Sequence, residues 1–287
     1  MSDAVPAPPG DPKPVRMVAS DLDGTLLHTD GTVSARAREA IKAAESAGLV
    51  VVFVTGRPPR WLHDIAAETG HTGVAVAANG ALLYDLHREQ VIAEHLLEPD
   101  ALVEVSDRLR EAFPDITFGV EYGLTFGHET DYRHDWEITP TTDRSGRLLP
   151  EVIQGELAEL IRRPAAKLLA KSRAADPDEF LAAAEAVVGD RATLTRSGRS
   201  ALLEIAAAGI TKATGLAALA ERHGVAQQDV AAIGDMPNDI PMLTWAGHAY
   251  AVGNAHPSAK AVADHVVASN DDDAVAALIE SILEGMV

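Results

Sequence analysis

Near its amino terminus the chain reads Val15-Arg16-Met17-Val18-Ala19-Ser20-Asp21-Leu22-Asp23-Gly24-Thr25-Leu26-Leu27, and this stretch predicts the fold. Its first six residues are mostly apolar and predict a buried strand, which Gly24 ends. Asp21 and Asp23 therefore follow a strand directly, where open α/β sheets bind their ligands. Two carboxylates so near to each other need a cation or a proton between them. The stretch indicates either a metal site or a pair with divided acid and nucleophile roles.

Alternating strands and helices on both sides of a central region predict an α/β fold. Strands are expected at 49–54, 74–78 and 230–233, and helices at 34–47, 58–69 and 211–223, with further strand-helix units near 248–263 and 265–284. Strands that alternate with helices in this order predict a doubly wound parallel sheet.

The rhythm changes in the central region, which predicts an inserted α+β domain. Helices are expected near 99–112, 151–162 and 177–188, and strands at 116–120, 124–127, 166–170 and 192–195. The predicted organisation is a disordered, proline-rich tail at 1–14, a core formed by 15–83 and 205–287, and the inserted domain at 84–204.

Composition excludes several classes of partner. The net charge of −19 argues against nucleic acid, because phosphate backbones require an excess of Lys and Arg. A small phosphorylated molecule is still allowed if a metal or a local cation offsets the field. Apolar runs are too short to span a bilayer, so no membrane partner is expected. The chain contains no Cys, which fits a reducing compartment, and we expect a cytoplasmic protein.

Two isolated residues are candidates for binding an anion. Thr55 ends the strand at 49–54, and its hydroxyl would lie at the same sheet edge as Asp21, where it could donate to a phosphate oxygen. Lys212 follows the helix cap Thr211, so it lies in a first turn where the helix dipole disfavours a cation. It is either a solvated lysine or one that meets an anion at this position.

A second acidic stretch follows the predicted strand at 230–233. Its sequence is Gly234-Asp235-Met236-Pro237-Asn238-Asp239-Ile240-Pro241-Met242-Leu243. Acids are favourable at a helix start for structural reasons alone, which explains one of them. Together with Asp21, the two acids and the amide of Asn238 would form a hard oxygen site suited to Mg²⁺.

The densest polar set lies in the inserted domain, at residues 128–136, and includes two His. Its spacing matches no common zinc pattern, so a solvated loop or a loop that faces the substrate is favoured over a metal site.

In order along the chain, four segments resemble the four motifs of the haloacid dehalogenase-like (HAD) phosphatase superfamily. They are residues 21–26, residues 54–58, Lys212 and residues 234–243, with further likenesses at 253–255 and 269–272. The match is closest to the Cof-type branch, subfamily IIB, and covers nearly all of residues 15–287. The resemblance implies a Rossmann-like core with an inserted α+β cap.

The resemblance also implies phosphoryl transfer through an aspartyl-phosphate. Asp21 would be the nucleophile and Asp23 the general acid and base. Mg²⁺ would be held by Asp21, the main-chain carbonyl of Asp23 and Asp235, with Asp239 acting through water. The phosphoryl oxygens would be held by Thr55, Lys212, Asn238 and main-chain N–H groups near Gly24, and the substrate contacted by Arg57 and Asn79. The expected substrates are small phosphorylated metabolites, such as sugar phosphates.

Two alternatives share the aspartyl-phosphate. A phosphomutase would pass the phosphoryl group to another hydroxyl instead of water. A phospho-acceptor signalling module also combines strand-end Asp, Thr and Lys with Mg²⁺, but Asp23 and the inserted domain argue against it. Neither the physiological substrate nor the oligomeric state follows from the sequence.

Overall fold

The computed structural model of the protein describes residues 15–132, 152–172, 176–198 and 200–285. The predicted tail at 1–14 and residues 133–136 of the polar set lie outside these residues.

Strands and helices alternate through most of the described chain. The strands are β1 (Met17–Ser20), β2 (Val50–Phe53), β3 (Val74–Ala77), β4 (Leu82–Asp85), β5 (Gln90–Glu94), β6 (Thr117–Glu121), β7 (Phe126–His128), β8 (Val152–Gln154), β9 (Lys167–Lys171), β10 (Ala192–Thr195), β11 (Leu202–Ala207), β12 (Val230–Gly234), β13 (His248–Ala251) and β14 (His265–Val266). The α-helices are α1 (Ala35–Ser46), α2 (His63–Thr69), α3 (Pro99–Ala112), α4 (Leu157–Leu160), α5 (Pro177–Val188), α6 (Lys212–Arg222), α7 (Ile240–Trp245), α8 (Pro257–Val262) and α9 (Ala274–Leu283).

A parallel sheet with strand order β14-β13-β12-β1-β2 forms the core. In its register, Ser20 at the end of β1 lies between Ile233 of β12 and Phe53 of β2. A parallel bridge from Val54 to Val76 places β3 beside β2, and β3 continues into the antiparallel sheet β3-β4-β5. Helix α1 packs against α2 and α9, while α7 packs against α6 and α8. The α/β fold with a doubly wound parallel sheet is therefore confirmed.

The inserted domain, called the cap below, contains β6 to β11 and α3 to α5. Its sheet has the order β10-β11-β9-β6-β7-β8 and is antiparallel except for the β7–β8 pair. The cap has an apolar cluster of its own, which includes Phe118, Leu168 and Phe180 and begins at Leu97. Strand β4 and its neighbours, which include Tyr84, belong instead to the core cluster. Along the chain, the first residue of the cap cluster is Leu97, and the bounds of the inserted domain stay a prediction.

Local capping chemistry places several helices where they are expected. The side chain of Ser34 accepts a hydrogen bond from Ala37 N at the start of α1. Asp176 accepts from the N–H groups of Asp178 and Glu179 at the start of α5.

The prediction of a helix at 151–162 is wrong. The structure has the short strand β8 and the short helix α4 there, because β8 pairs with β7 at the edge of the cap sheet. Strands β4, β5 and β11 were not predicted. Within the described part of the chain, no helix combines the length and the apolar character needed to cross a membrane.

Candidate active site

The site is built around Lys212, the first residue of α6. Its side chain is completely buried, and its Nζ donates to Asp21 Oδ1 and to Asp239 Oδ1, both at 2.6 Å. Thr211 caps the helix by accepting from Thr214 N, which directs the chain so that Lys212 faces the ends of β1 and β12. The alternative of a solvated lysine is therefore excluded. The anions that Lys212 meets in this structure are carboxylates of the protein.

Asp239 connects this lysine to the loop after β12. Its Oδ1 is taken by Lys212, and its Oδ2 accepts from the main-chain N–H groups of Asp235 and Met236, both at 2.9 Å. Asp239 is completely buried. With both oxygens engaged, it holds the loop that carries Asp235 against Lys212.

Asp235 lies directly over the turn that follows β1. Gly24 occupies φ +74° in this turn, and a Cβ there would lie 2.5 Å from Asp235 Oδ2. Only glycine meets both demands, because it tolerates the left-handed region and has no side chain. Asn254 and Asn270 brace the turn by donating to Gly24 O at 2.8 Å and to Leu27 O at 2.9 Å.

The carboxylates outnumber the cation that Lys212 provides. Burial raises the pKa of Asp21 to about 7, with Lys212 opposing the rise and Asp239 adding to it. Burial also raises the pKa of Asp235 to about 9, and Asp21 and Asp239 add to the effect. Burial disfavours the charge on Lys212 too, but Asp21 and Asp239 outweigh it and raise its pKa. Such a cluster favours uptake of a proton or a further cation.

Asp21 and Asp235 fit a divalent metal. One oxygen from each of Asp21, Asp235 and Asp239 lies within 4.8 Å of the others. Asp235 Oδ1 is buried and has no hydrogen-bond partner in the described structure, which suits a metal ligand. The hard oxygen donors are those that Mg²⁺ prefers. Asp239 already accepts three hydrogen bonds, so Asp21 and Asp235 have more carboxylate lone pairs left for a metal.

Asp23 points away from this cluster toward Arg57. The Arg57 guanidinium donates from Nε to Asp23 Oδ2 at 2.7 Å and from its Nη2 to Oδ1 at 2.5 Å. Burial works against the charge of Arg57, but the bonds to Asp23 outweigh it and raise the pKa of Arg57. The side chain of Asp23 is 55% exposed, so this carboxylate is within reach of a substrate.

A cavity of about 430 Å³ opens over these residues, between core and cap. Asp21, Asp23, Thr55 and Asn238 line it from the core, and Lys167, Leu169, Leu202 and Glu204 line it from the cap. Side chains of the strand-end loops and of the cap thus line one cavity.

The polar residues of the core wall are held by one another. Thr55 Oγ1 accepts from Arg57 N at 3.1 Å. Asn238 donates from Nδ2 to Asn79 Oδ1 at 3.1 Å, and its amide nitrogen has a second hydrogen. Asn79 is buried and donates in turn to Glu204 Oε2 at 2.9 Å. Both ends of the Asn79 amide are therefore bonded to protein, which favours a bracing role over the predicted contact with substrate.

The sequence interpretation missed Lys167 and Glu204, which are both buried in the cap wall of the cavity. Each stands within an apolar strand, where a charge is costly unless it is paired. A charged residue within an apolar strand is therefore the sequence signal that could have pointed to Lys167 and Glu204.

Comparison with known proteins identifies the family of this chain. The family described as haloacid dehalogenase-like hydrolase matches residues 18–279. The chain belongs to the haloacid dehalogenase-like hydrolases. Relatives within this family are phosphatases, and the chain is a phosphoric monoester hydrolase of the HAD superfamily.

Two relatives and one solved structure illustrate the likeness. The chain is 31% identical to the 5-amino-6-(5-phospho-D-ribitylamino)uracil phosphatase YwtE of Bacillus subtilis (strain 168), covering 94% of this chain and 99% of that protein. It is 27% identical to the pyridoxal phosphate phosphatase YbhA of Escherichia coli (strain K12), over 93% and 98% of the two chains. The HAD subclass IIB sugar phosphatase BT4131 shares the fold, with a TM-score of 0.76, 19% identity and coverage of 95% and 100%.

We expect Mg²⁺ affinity to rise with pH between about 6 and 9. The raised pKa values of Asp21, about 7, and Asp235, about 9, mean that the metal-free protein holds protons in this range. Mg²⁺ must displace those protons, so affinity rises by up to about tenfold per pH unit for each proton displaced. Isothermal titration calorimetry in buffers of different ionisation enthalpy measures both the affinity and the protons released. An affinity that stays flat across this range contradicts the assignment.

Asp235→Asn is expected to stabilise the metal-free protein. Folding raises the pKa of Asp235 from 3.8 to about 9, so this carboxyl costs stability increasingly as pH rises through that window. At pH 8 with chelator, the variant should have a higher free energy of unfolding than the parent protein, and this gain should shrink as the pH is lowered toward 4. Added Mg²⁺ should raise the melting temperature of the parent protein but not of the variant. Asp107→Asn, at an exposed position of α3, is the matched control and should change neither value.

Proposed function

We propose that the protein is a Mg²⁺-dependent phosphatase of small phosphorylated metabolites that acts through an aspartyl-phosphate on Asp21. One observation carries the proposal. Asp21, held at one oxygen by a buried lysine, faces the same cavity as Asp23, which lies two residues further along the chain. A nucleophile and a general acid on one turn are what a two-step transfer requires.

In the first step, Asp21 attacks phosphorus with the carboxylate oxygen that Lys212 does not hold. The bond from Asp21 to phosphorus forms while the bond from phosphorus to the ester oxygen breaks. Asp23, in its protonated form, gives its proton to the leaving alcohol. Splitting one displacement into two lowers the barrier of each.

In the second step, water attacks the phosphoryl group on Asp21. Asp23 takes a proton from that water, and inorganic phosphate leaves as the Asp21 carboxylate is restored. Arg57 holds the Asp23 carboxylate at the edge of the cavity. A base that is already positioned loses little entropy in the transition state.

Charge on the phosphoryl oxygens is met by donors from several loops. Lys212 supplies a fixed positive charge, and Thr55, Asn238 and the main chain near Gly24 supply neutral donors. Asp21, Asp235 and the main-chain carbonyl of Asp23 would hold Mg²⁺, and Asp239 would orient the loop beneath it. Bound Mg²⁺ supplies positive charge that lets the anionic phosphate approach the anionic carboxylates.

The proposed substrate class is small phosphate monoesters, such as sugar phosphates. A cavity of about 430 Å³ between core and cap supports a metabolite-sized leaving group. The substrates named for the relatives, a phosphoribitylamino-uracil and pyridoxal phosphate, are of that size. The net charge of −19 supports the proposal that nucleic acid is not a partner. A cytoplasmic location is part of the same proposal.

Asp21→Asn is expected to lower the rate of aryl phosphate hydrolysis by about 10³-fold or more, since it removes the nucleophile. The assay follows p-nitrophenyl phosphate hydrolysis with Mg²⁺, and Asp107→Asn serves as the control that keeps full activity. Activity that persists in Asp21→Asn would overturn the assignment of Asp21 as the nucleophile.

A second assay, with sugar phosphates as substrates, separates a phosphatase from a mutase. Release of free phosphate in step with substrate loss supports a phosphatase, and an isomerised sugar phosphate would indicate a mutase instead.

Asp23→Asn is expected to trap the phosphorylated protein. p-Nitrophenolate leaves with little need of a proton, so phosphorylation of Asp21 should continue while hydrolysis slows by about 10²- to 10⁴-fold. Mass spectrometry of acid-quenched protein should then find phosphate on Asp21. Equal slowing of both steps, with no phosphorylated protein, argues against Asp23 as the base.

A further inference from the structure

Lys167 and Glu204 form a buried ion pair in the sheet of the cap. They lie on the adjacent strands β9 and β11, and Lys167 Nζ donates to Glu204 Oε2 at 2.5 Å. Both residues are only 4% exposed. An apolar pair of similar volume is often as stable as a buried ion pair or more stable. Stability of the cap therefore does not explain these charges.

Each member of the pair also bonds to a loop of the core. Lys167 Nζ donates to Gly56 O at 2.6 Å, and Gly56 lies between Thr55 and Arg57. Glu204 Oε2 accepts from Asn79 at 2.9 Å, and Asn79 accepts from Asn238 at 3.1 Å. The cap is thereby connected to both loops that carry neutral donors for phosphate.

The loop at residues 55–57 is also bonded directly to the turn that carries Asn79. Asn79 N donates to Thr55 O at 3.0 Å, and Ala78 N donates to Arg57 O at 3.0 Å. A Cβ on Gly56 would lie 3.1 Å from Asn79 Oδ1 and 3.2 Å from Glu204 Oε2. The carboxylate of Glu204 therefore sits directly on the backbone that presents Thr55.

Glu204 is held in its charged form inside this contact. Burial works to raise its pKa, but Lys167 and Ser197 outweigh burial and lower the pKa below the ordinary value. Ser197 contributes a hydrogen bond from its hydroxyl to Glu204 Oε1. A charged acceptor gives stronger hydrogen bonds than a neutral one, so the connection to Asn79 is firm.

We propose that Lys167 and Glu204 are positioning residues, which hold Thr55 and Asn238 in their phosphate-binding positions when the cap is docked. The inference rests on the proposed function, since it needs a phosphoryl group at these donors. It couples docking of the cap to binding of the phosphate, and that coupling is reciprocal. The pair also lines the cavity, so direct contact with the leaving group is the competing role.

The test replaces the whole pair. Lys167→Met combined with Glu204→Leu removes both charges and leaves neither unpaired, so the protein should keep its melting temperature within a few degrees. Inorganic phosphate is the probe, because it has no leaving group. Its affinity with Mg²⁺ present, from calorimetry and from competitive inhibition, should fall at least about tenfold, and kcat on p-nitrophenyl phosphate should fall as well.

The matched control is a buried ion pair that joins core and cap, Arg60 with Glu121. Arg60 donates to both carboxylate oxygens of Glu121 and links the same two domains, at 2.7 Å from its Nη2 to Oε1. No described hydrogen bond joins either side chain to residues 55–57 or to Asn238. Arg60→Met combined with Glu121→Leu should therefore leave the affinity for inorganic phosphate within about twofold.

The outcomes distinguish the positioning role from a general effect of cap docking and from contact with the leaving group. An equal loss of phosphate affinity in both double variants means that docking of the cap matters in general, and overturns the inference. Unchanged phosphate affinity with a raised KM for substrates of larger leaving groups assigns the pair to leaving-group contact and also overturns it.

A single substitution tests the same inference if the double variant does not fold. Glu204→Gln keeps the size and an acceptor but leaves the buried Lys167 without its counter-charge, so the melting temperature should fall. Measured at a temperature where this variant is still folded, phosphate binding should be weaker severalfold. Unchanged phosphate affinity in this folded variant also overturns the inference. If the parent protein and Asp21→Asn are equally inactive, it is the proposed function that fails. If the parent protein is active and the pair variants match it, only the positioning role fails.

Discussion

The contact on which the site depends is the buried cation of Lys212 between Asp21 and Asp239. A lysine in the first turn of a helix lies against the helix dipole, and a buried ammonium without partners is costly. Two carboxylates at 2.6 Å offset both penalties. This contact joins α6, the end of β1 and the loop after β12, and Asp239 extends it to the main chain at Asp235. Helix, strand and loop are therefore fixed relative to one another by charge.

The same contact leaves the site short of positive charge. Asp21 and Asp235 are buried with raised pKa values, and Lys212 cannot neutralise every carboxylate near it. Oxygen ligands without enough cations are suited to a divalent metal, which is the basis of the proposed Mg²⁺ site. The cost is felt in the metal-free protein, where charge repulsion opposes folding. The buried carboxylates of the site therefore lower the stability of the metal-free protein, as groups needed for function commonly do in active sites.

Local sequence signals predicted most of the core and part of the cap. The caps Ser34 and Asp176 start helices where their hydroxyl and carboxylate groups indicate, since capping involves residues only two or three positions apart. The helix expected at 151–162 is a strand and a short helix, because pairing with β7 overrides a local amphipathic pattern. Tertiary packing also decides which residues join the core cluster and which join the cap cluster that includes Leu97.

The sequence by itself determined the α/β fold, the family, and the placement of Asp21, Thr55 and Asp235 at strand ends. Periodicity and turn chemistry are local, so one chain segment is enough to reveal them. Only the tertiary structure decided that Lys212 is buried against Asp21, 191 positions away, and that Lys167 reaches Gly56, 111 positions away. A charge inside an apolar strand requires a partner, but which partner it finds is decided by how the strands and loops of two domains meet.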